Sequence, residues 1–403
     1  MHDLKFSLKR GRNGRMIVSA KPHPMLADLT HDEAARQAYA ATLRNYTMGF
    51  LDDANAKICD QVVAPAVTAK GLVGRDAERA IIKGMEARDE HRLWQVFSQT
   101  WQDLIWHYCG DSVDRQLPDL VDRFRQISSQ ATGTLTLDPD LVPPRYQTAA
   151  DNHRFPGSYY TETCDDDVRQ GAVLDRAAHT YLGNALGGEI HDRRGHTLIS
   201  HIHERFPDLK IERMLDIGCQ NGASTVPWAG TYPDAEVHAV DTAAPVLRYA
   251  HARSESLGAR VFYSQQNAEH TDFPDGHFDL VVSHVVLHET THSALRAIFR
   301  ECRRLLRPGG VMAHLEVPFR QELMSPWTKV KSAREGRYNQ EPFWIGVTGA
   351  DLVGVAEAAG FVDAKMGFQP TVGNGVDAAP GFVPMEQGKT DLSNWFVISA
   401  VKA

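Results

Sequence analysis

Two rhythms of apolar and polar residues divide the chain. Over its first part, apolar positions recur at helical spacing. The clearest run is His91–Cys109, where Leu93, Phe97, Trp101, Leu104, Ile105 and Tyr108 fall on one face. That stripe predicts a helix whose aromatic side packs into a core or against a second subunit. Asp119–Ile127 predicts another helix, and residues 1–30 read as irregular with one short strand at Met16–Ala20. Between Ala131 and Tyr160 the rhythm stops. Pro139, Pro143, Pro144 and Pro156 stand there among Asp, Thr and Asn, the texture of a linker. Helical spacing resumes over Val168–Leu186 and His196–Phe206, then ends at Pro207-Asp208.

Beyond that point short apolar runs alternate with amphipathic ones. Strands are predicted at Met214–Ile217, Glu236–Val240, Val261–Ser264, Phe278–Val282, Val311–Leu315, Phe361–Phe368 and Trp395–Val401. Helices are predicted at Ala243–Leu257 and Gly349–Gly360. A further one carries the stripe Leu295, Ile298, Phe299, Cys302, Leu305 and Leu306, stopped by Pro308-Gly309-Gly310. This alternation predicts an α/β fold, a mostly parallel sheet with helices on both faces. Phe278–Val282 is almost wholly apolar and so is expected to be central. Residues 318–347 and 369–394 interrupt the rhythm and are expected to lie over a site as lids. The expected division is a mainly helical domain over 1–150 and an α/β domain over 151–403.

Bulk properties narrow the picture. A chain of 403 residues is long enough for two domains and a large core. A net charge of −8 argues against a nucleic-acid partner. No apolar run is long enough to span a bilayer, and the basic stretch Met1–Arg15 lacks the apolar core of a secretory signal. Cys59, Cys109, Cys164, Cys219 and Cys302 are scattered, with no CxxC pair. They are expected to be reduced thiols in a cytoplasm, not a disulfide frame or a zinc ribbon.

The chemistry concentrates at Arg213–Gly222, which reads Arg-Met-Leu-Asp-Ile-Gly-Cys-Gln-Asn-Gly. A strand that breaks at a glycine and opens a helix leaves backbone N–H groups free at a crevice. Gly218 and Gly222 admit a ligand where a Cβ would block it. Asp216, beside that turn, suits a ligand carrying an ammonium group.

Leu215-Asp216-Ile217-Gly218-Cys219-Gln220-Asn221-Gly222 resembles the first motif of the class I S-adenosylmethionine-dependent methyltransferases. Asp241, closing the second strand, resembles the acid that holds both ribose hydroxyls in that family. A carboxylate suits the task because it accepts two hydrogen bonds at once. Asn267-Ala268-Glu269, followed by Phe273-Pro274-Asp275-Gly276, is similar to the adenine-edge segment of the quinone-biosynthesis branch. Phe278-Asp279-Leu280-Val281-Val282-Ser283 resembles the fourth-strand motif, and Leu306-Arg307-Pro308-Gly309-Gly310 the turn before the fifth. The resemblance covers Ile211 to Ala403. It implies a Rossmann-like seven-stranded sheet, S-adenosyl-L-methionine as cofactor, and cofactor contacts from Asp216, Gly218, Cys219, Gln220, Gly222, Asp241, Thr242, Asn267, Ala268 and Ser283. Two positions depart from the family pattern: Gln220 stands where Gly is usual, and Asn267 where Asp is commoner. Pro227 is compatible with a helix starting near Ser224, because it falls in the first turn.

The segment His288-Glu289-Thr290-Thr291-His292 has two readings. It spells the HExxH pattern of zinc hydrolases, which needs both histidines on one helix face. It follows an apolar strand, however, Thr290-Thr291 is a poor helix centre, and no third ligand follows at a standard spacing. No metal is therefore expected. In the other reading, Val286-Leu287-His288-Glu289 resembles a stretch of small-molecule O-methyltransferases in which the histidine deprotonates the acceptor hydroxyl. His288 is then the candidate general base and Glu289 its orienting partner. The first interruption carries Arg320, Lys329, Lys331, Arg334 and Arg337 with Trp327, Tyr338, Phe343 and Trp344, which points to an anionic or aromatic small-molecule substrate. The placement of the N-terminal helices resembles the dimerisation domains of small-molecule O-methyltransferases and implies a homodimer. A nicotinamide dehydrogenase would need a full GxGxxG, which Gln220 and Gly222 do not supply. A protein that binds S-adenosylmethionine without catalysis is the other alternative.

Overall fold

The computed structural model describes residues 7–10, 16–19, 23–182, 192–318, 324–372, 381–385 and 394–403. Strands β1 (Ser7–Arg10) and β2 (Met16–Ser19) form a separate antiparallel hairpin. The other strands are β3 (Thr134–Thr136), β4 (Arg213–Ile217), β5 (Glu236–Asp241), β6 (Phe262–Gln265), β7 (Phe278–His284), β8 (Leu306–Glu316), β9 (Phe361–Gln369), β10 (Val383–Pro384) and β11 (Trp395–Lys402). They make one nine-stranded sheet in the order β10-β9-β11-β8-β7-β4-β5-β6-β3. From β3 to β8 the pairings are parallel, and β11 runs antiparallel to both β8 and β9.

Every residue of β7 is buried, as its apolar run predicts, and β7 sits between β4 and β8. The two faces separate by the period of two. Leu215, Ile217 and Val281 join one core with Leu295, Ile298, Phe299, Cys302 and Leu305 of the helix His292–Leu305. Met214, Leu280 and Val282 join the other with Leu198, Ile199 and Ile202 of the helix Arg193–Arg205. Each fully buried Leu, Ile or Phe contributes roughly 1.5–3 kcal/mol. Leu306 starts β8 and does not extend the helix. The Pro-Gly-Gly turn bulges from the ladder, since Phe278 pairs with Leu306 and Leu280 already with Val311.

The sheet has two strands beyond the expected seven. β10 comes from the second interruption, of which residues 373–380 and 386–393 lie outside the described residues. β3 comes from the stretch expected to be a linker. The Glu255 carboxylate accepts from the backbone N–H groups of Thr132 (2.9 Å) and Gly133 (2.7 Å), pinning the chain to the end of the helix Ala244–Ser256. A Cβ on Gly133 would run into the Val261 carbonyl, so the chain can lie this close only as glycine. From there Thr134–Thr136 pair with Phe262–Ser264. The proline-rich stretch thus extends the sheet.

The N-terminal part is helical and shares a core with the α/β part. Ile105, Val113, Leu120, Ala172 and Val173 pack with Val246 and Tyr249 of the helix Ala244–Ser256. The aromatic helix runs over Asp89–Asp114, longer than the pattern predicts. Its buried side is offset as well: Trp94, Trp101, Ile105, Cys109 and Val113 are buried, while Leu93 is 48% exposed. Trp94 is drawn inward by Trp327, whose ring lies 5.1 Å away on the helix Pro326–Tyr338. That helix belongs to the first interruption and is docked on the N-terminal helices. Lys331 pairs with Asp52 at 3.1 Å, and Arg337 with Glu86. Arg320 lies outside the described residues. All five cysteines are free thiols. Among the described residues no helix is long and apolar enough to cross a membrane.

His201 ties the helix Arg193–Arg205 to the sheet. Its Nδ1 is 2.9 Å from Gln369 Oε1 on β9 and its Nε2 2.8 Å from Ser399 Oγ on β11. Burial lowers its pKa from 6.5 to about 4. Between those values the unfolded chain binds a proton that the folded chain does not, so this contribution to stability shrinks as pH falls from 6.5 towards 4. The slope from one proton is about 1.4 kcal/mol per pH unit. His201→Gln is expected to flatten the dependence of urea-unfolding free energy on pH between 6.5 and 4; an unchanged slope contradicts the assignment.

Candidate functional site at the carboxyl ends of β4, β5 and β7

In a parallel sheet ligands bind outside the carboxyl ends of the strands, where the strand order reverses. Here the chain passes from β4 to β5 on one side, and β7 flanks β4 on the other. A cavity of about 290 Å³ opens at that point.

The loop after β4 takes left-handed backbone angles at Gly218 (φ 68°), Gln220 (φ 49°) and Gly222 (φ 72°). The N–H groups of Gly218 and Cys219 both donate to the Val240 carbonyl of β5, at 2.8 and 3.1 Å. The two glycines serve different neighbours. A Cβ at Gly218 would lie 2.7 Å from the Val286 side chain, so the loop and the turn after β7 interlock there. A Cβ at Gly222 would meet the Tyr263 hydroxyl, so this glycine packs the loop against the sheet. Pro227 falls in the first turn of the helix Val226–Thr231, where its missing N–H leaves nothing unpaired.

Two carboxylates reach the cavity. Asp216, buried, accepts from Thr225 Oγ1 at 2.6 Å and from His284 Nδ1 at 3.2 Å. Asp241 accepts from the backbone N–H groups of Gln220 and Ala243, both at 3.0 Å. Burial raises the Asp241 pKa to about 6, against the lowering effect of those N–H groups.

The turn after β7 is strained. Val285, a β-branched residue, sits at φ 63°. Its N–H donates to the Leu315 carbonyl, and those of Val286 and Leu287 donate to Glu316 Oε1. Glu316 Oε2 lies 2.9 Å from His288 Nδ1. His288 is buried behind Glu289 and does not line the cavity. Burial opposes its protonation, but Glu316, Glu341 and Glu289 outweigh burial and raise its pKa. Glu289 does line the cavity. It accepts from Tyr159 Oη and faces His153 Nε2, each at 3.0 Å. Burial disfavours the Glu289 anion, yet these partners with His288 lower its pKa overall.

Of the residues singled out in the sequence, the cavity gathers Asp216, Gly218, Cys219, Gln220, Asp241 and Glu289. Gly222, Thr242, Asn267, Ala268, Ser283 and His288 are not part of its wall. The Thr242 hydroxyl donates to Gln147, which is a wall residue, at 2.7 Å. Asn267 Oδ1 accepts from the Glu269 N–H, Ala268 packs on the core, and Ser283 Oγ lies buried 2.7 Å from His314 Nδ1. The HExxH geometry is not formed. Leu287–Glu289 make one short turn, Thr290 and Thr291 are extended, and exposed His292 opens the next helix. His288 and His292 share no helix face.

Sequence reasoning missed the far wall. Gln102 and Trp106 come from the helix Asp89–Asp114, and His153 and Tyr159 from the stretch expected to be a linker. It also missed Glu316, which its place at the carboxyl end of a parallel strand could have flagged. His153, His288 and Glu289 each offer a ligand atom, all within 4.8 Å of one another.

Gly218→Ala is expected to cost about 1–3 kcal/mol in urea unfolding, from the positive φ and the contact with Val286. Adding Val286→Ala is expected to recover part of that loss; strict additivity of the two changes contradicts the contact.

Residues 214–310 match the model of a methyltransferase domain family. An uncharacterized methyltransferase of Synechocystis is 33% identical over 122 residues, 28% of this chain and 55% of that protein. The ubiquinone/menaquinone biosynthesis C-methyltransferase UbiE of Vibrio campbellii is 28% identical over 176 residues, covering 38% of this chain and 66% of that protein. The chain thus spans less than two thirds of the length of these relatives. Among solved structures, Haemonchus contortus phosphoethanolamine N-methyltransferase 2 in complex with S-adenosyl-L-methionine is 19% identical, over 57% of this chain and 59% of that one, at a TM-score of 0.40.

Proposed function

We propose that this chain, which carries a class I S-adenosylmethionine-dependent methyltransferase domain, moves the methyl of S-adenosylmethionine to an oxygen of a small molecule. One observation carries the reading: Asp216 and Asp241 open onto a single cavity, with a left-handed loop between them. Asp216 suits the donor's ammonium group. Asp241, whose two oxygens accept from the Gln220 and Ala243 N–H groups, suits the ribose hydroxyls because a carboxylate oxygen can accept more than one hydrogen bond. The donor supplies an already activated methyl group. What remains for the protein is to align the acceptor and exclude water. Glu289, with Tyr159 and His153, is the polar end of the cavity where an acceptor hydroxyl would lie. His288, held by Glu316, stands behind Glu289 at that end.

Support for the acceptor class comes from the walls. Trp106, Leu174, Ala177 and Ala178 favour a flat apolar body. An anionic acceptor has less support, because Lys331, Arg334 and Arg337 pair with Asp52, Glu335 and Glu86. Gln102, Trp106 and Gln147 make the helical domain a cap on the site. Exposed Tyr39, Tyr46, Met48 and Phe50, on the contiguous helical run over 31–68, favour a homodimer. Free thiols fit the cytoplasm.

Calorimetry tests the reading. S-adenosylmethionine and S-adenosylhomocysteine are expected to bind at micromolar concentration, and NAD not to bind. Asp241→Ala is expected to weaken S-adenosylhomocysteine about 10–100-fold, the worth of charge-assisted hydrogen bonds. Binding of neither sulfur nucleoside contradicts the proposal, and binding with no turnover of any hydroxylated aromatic favours a non-catalytic binder.

A further inference from the structure

We propose that His153 Nε2, His288 Nε2 and the Glu289 carboxylate form a site for one divalent transition-metal ion at the polar end of the cavity. The three ligand atoms lie within 4.8 Å of one another. His153 Nε2 is 3.0 Å from Glu289 Oε1, and His288 Nε2 is 4.0 Å from it. Ions of this class hold nitrogen and oxygen at about 2.0–2.2 Å, which separates neighbouring and opposite ligands by about 3–4 Å. The donor set, two imidazoles and one carboxylate, is a common one for such ions and leaves further positions open.

The surroundings of the rings match what a ligating histidine needs. Each imidazole has its other nitrogen held by a buried carboxylate. His288 Nδ1 is 2.9 Å from Glu316, and His153 Nδ1 is 3.0 Å from Glu341. Such partners fix the ring and make the metal-facing nitrogen more basic. Glu341 supplies the second, independent observation. It is 3% exposed, its Oε2 has no hydrogen-bond partner, and that atom lies 3.8 Å from His288 Nε2. A buried carboxylate oxygen that makes no hydrogen bond, and has only the 3.8 Å approach of His288, is costly unless a cation completes it. It is placed to be a fourth ligand.

The chain also strains to bring His153 here. His153 and Arg154 both take left-handed angles, φ 56° and 57°. The His153 carbonyl is clamped by Gln102 Nε2 (2.6 Å) and Trp106 Nε1 (2.9 Å) of the helix Asp89–Asp114. Non-glycine residues persist in such conformations where the surroundings force them, most often at functional sites. Because His153 and Glu289 line the cavity, the open positions of the ion face it. An acceptor hydroxyl bound there would lose its proton more readily, the Lewis-acid role of such ions. The site does not use His292, and it stands whether or not the cavity takes a sulfonium donor.

The test uses the full chain, stripped with a chelator and titrated with Co²⁺ and then Zn²⁺. One equivalent of Co²⁺ is expected, with visible absorption bands that Zn²⁺ abolishes by displacement. His153→Ala and Glu289→Gln are each expected to weaken Co²⁺ at least tenfold, and Glu341→Gln to weaken it while keeping one equivalent. Far-ultraviolet circular dichroism confirms that each variant is folded, and Glu289→Gln carries the test if His153→Ala does not fold. No stoichiometric uptake by the folded wild-type chain overturns the site, as does uptake unchanged in folded Glu289→Gln. S-adenosylhomocysteine binding measured on the same samples separates that failure from failure of the donor pocket.

Discussion

The buried carboxylate of Glu316, at the carboxyl end of β8, is the constraint on which the site depends. One oxygen accepts from the N–H groups of Val286 and Leu287, the other from that of Val317, and His288 Nδ1 sits beside it. A charge buried this completely persists only when hydrogen bonds surround it. Those bonds hold the left-handed turn at Val285, which a β-branched residue would not adopt alone. The turn in turn places Val286 against Gly218 and Glu289 against the cavity. Both walls of the cavity, the loop after β4 and the polar end beyond β7, are therefore set from one side chain on the neighbouring strand.

The sheet was legible because its strands are short apolar runs whose ends carry glycine or acid. Phe278–Val282 reads as central and is buried throughout. Asp216 and Asp241 read as a pair at two strand ends and do share one cavity. What could not be read depends on contacts distant in sequence. β3 looks like linker because the alternation at Thr134–Thr136 is very short and runs straight into a proline-rich stretch; Glu255 and the bare Cα of Gly133 decide it. His153 stands 136 residues before Glu289, in a stretch with no periodicity, and the clamp on its carbonyl comes from a third segment. His288 reads as a cavity residue from its motif, yet the turn directs it towards Glu316 and leaves Glu289 in front. The offset of the buried stripe on Asp89–Asp114 has the same origin, since Trp327 could not be foreseen as its partner.

The helical and α/β parts are bound by more than adjacency. They share an apolar core, and they share the cavity, one part lending Trp106, His153 and Tyr159 and the other Asp216, Asp241 and Glu289. Lys331 and Arg337 of the first interruption serve this joint, pairing with Asp52 and Glu86 on the helices. On the proposed function, acceptor choice would fall to the helical side and donor binding to the sheet side.

A crystal structure with S-adenosylhomocysteine tests the central claim most directly. The account predicts the ribose hydroxyls on Asp241, the amino group beside Asp216, and the sulfur facing Glu289, with the Val285–Glu289 turn unmoved. A nucleoside bound elsewhere, or one that leaves either aspartate without a contact, would contradict it.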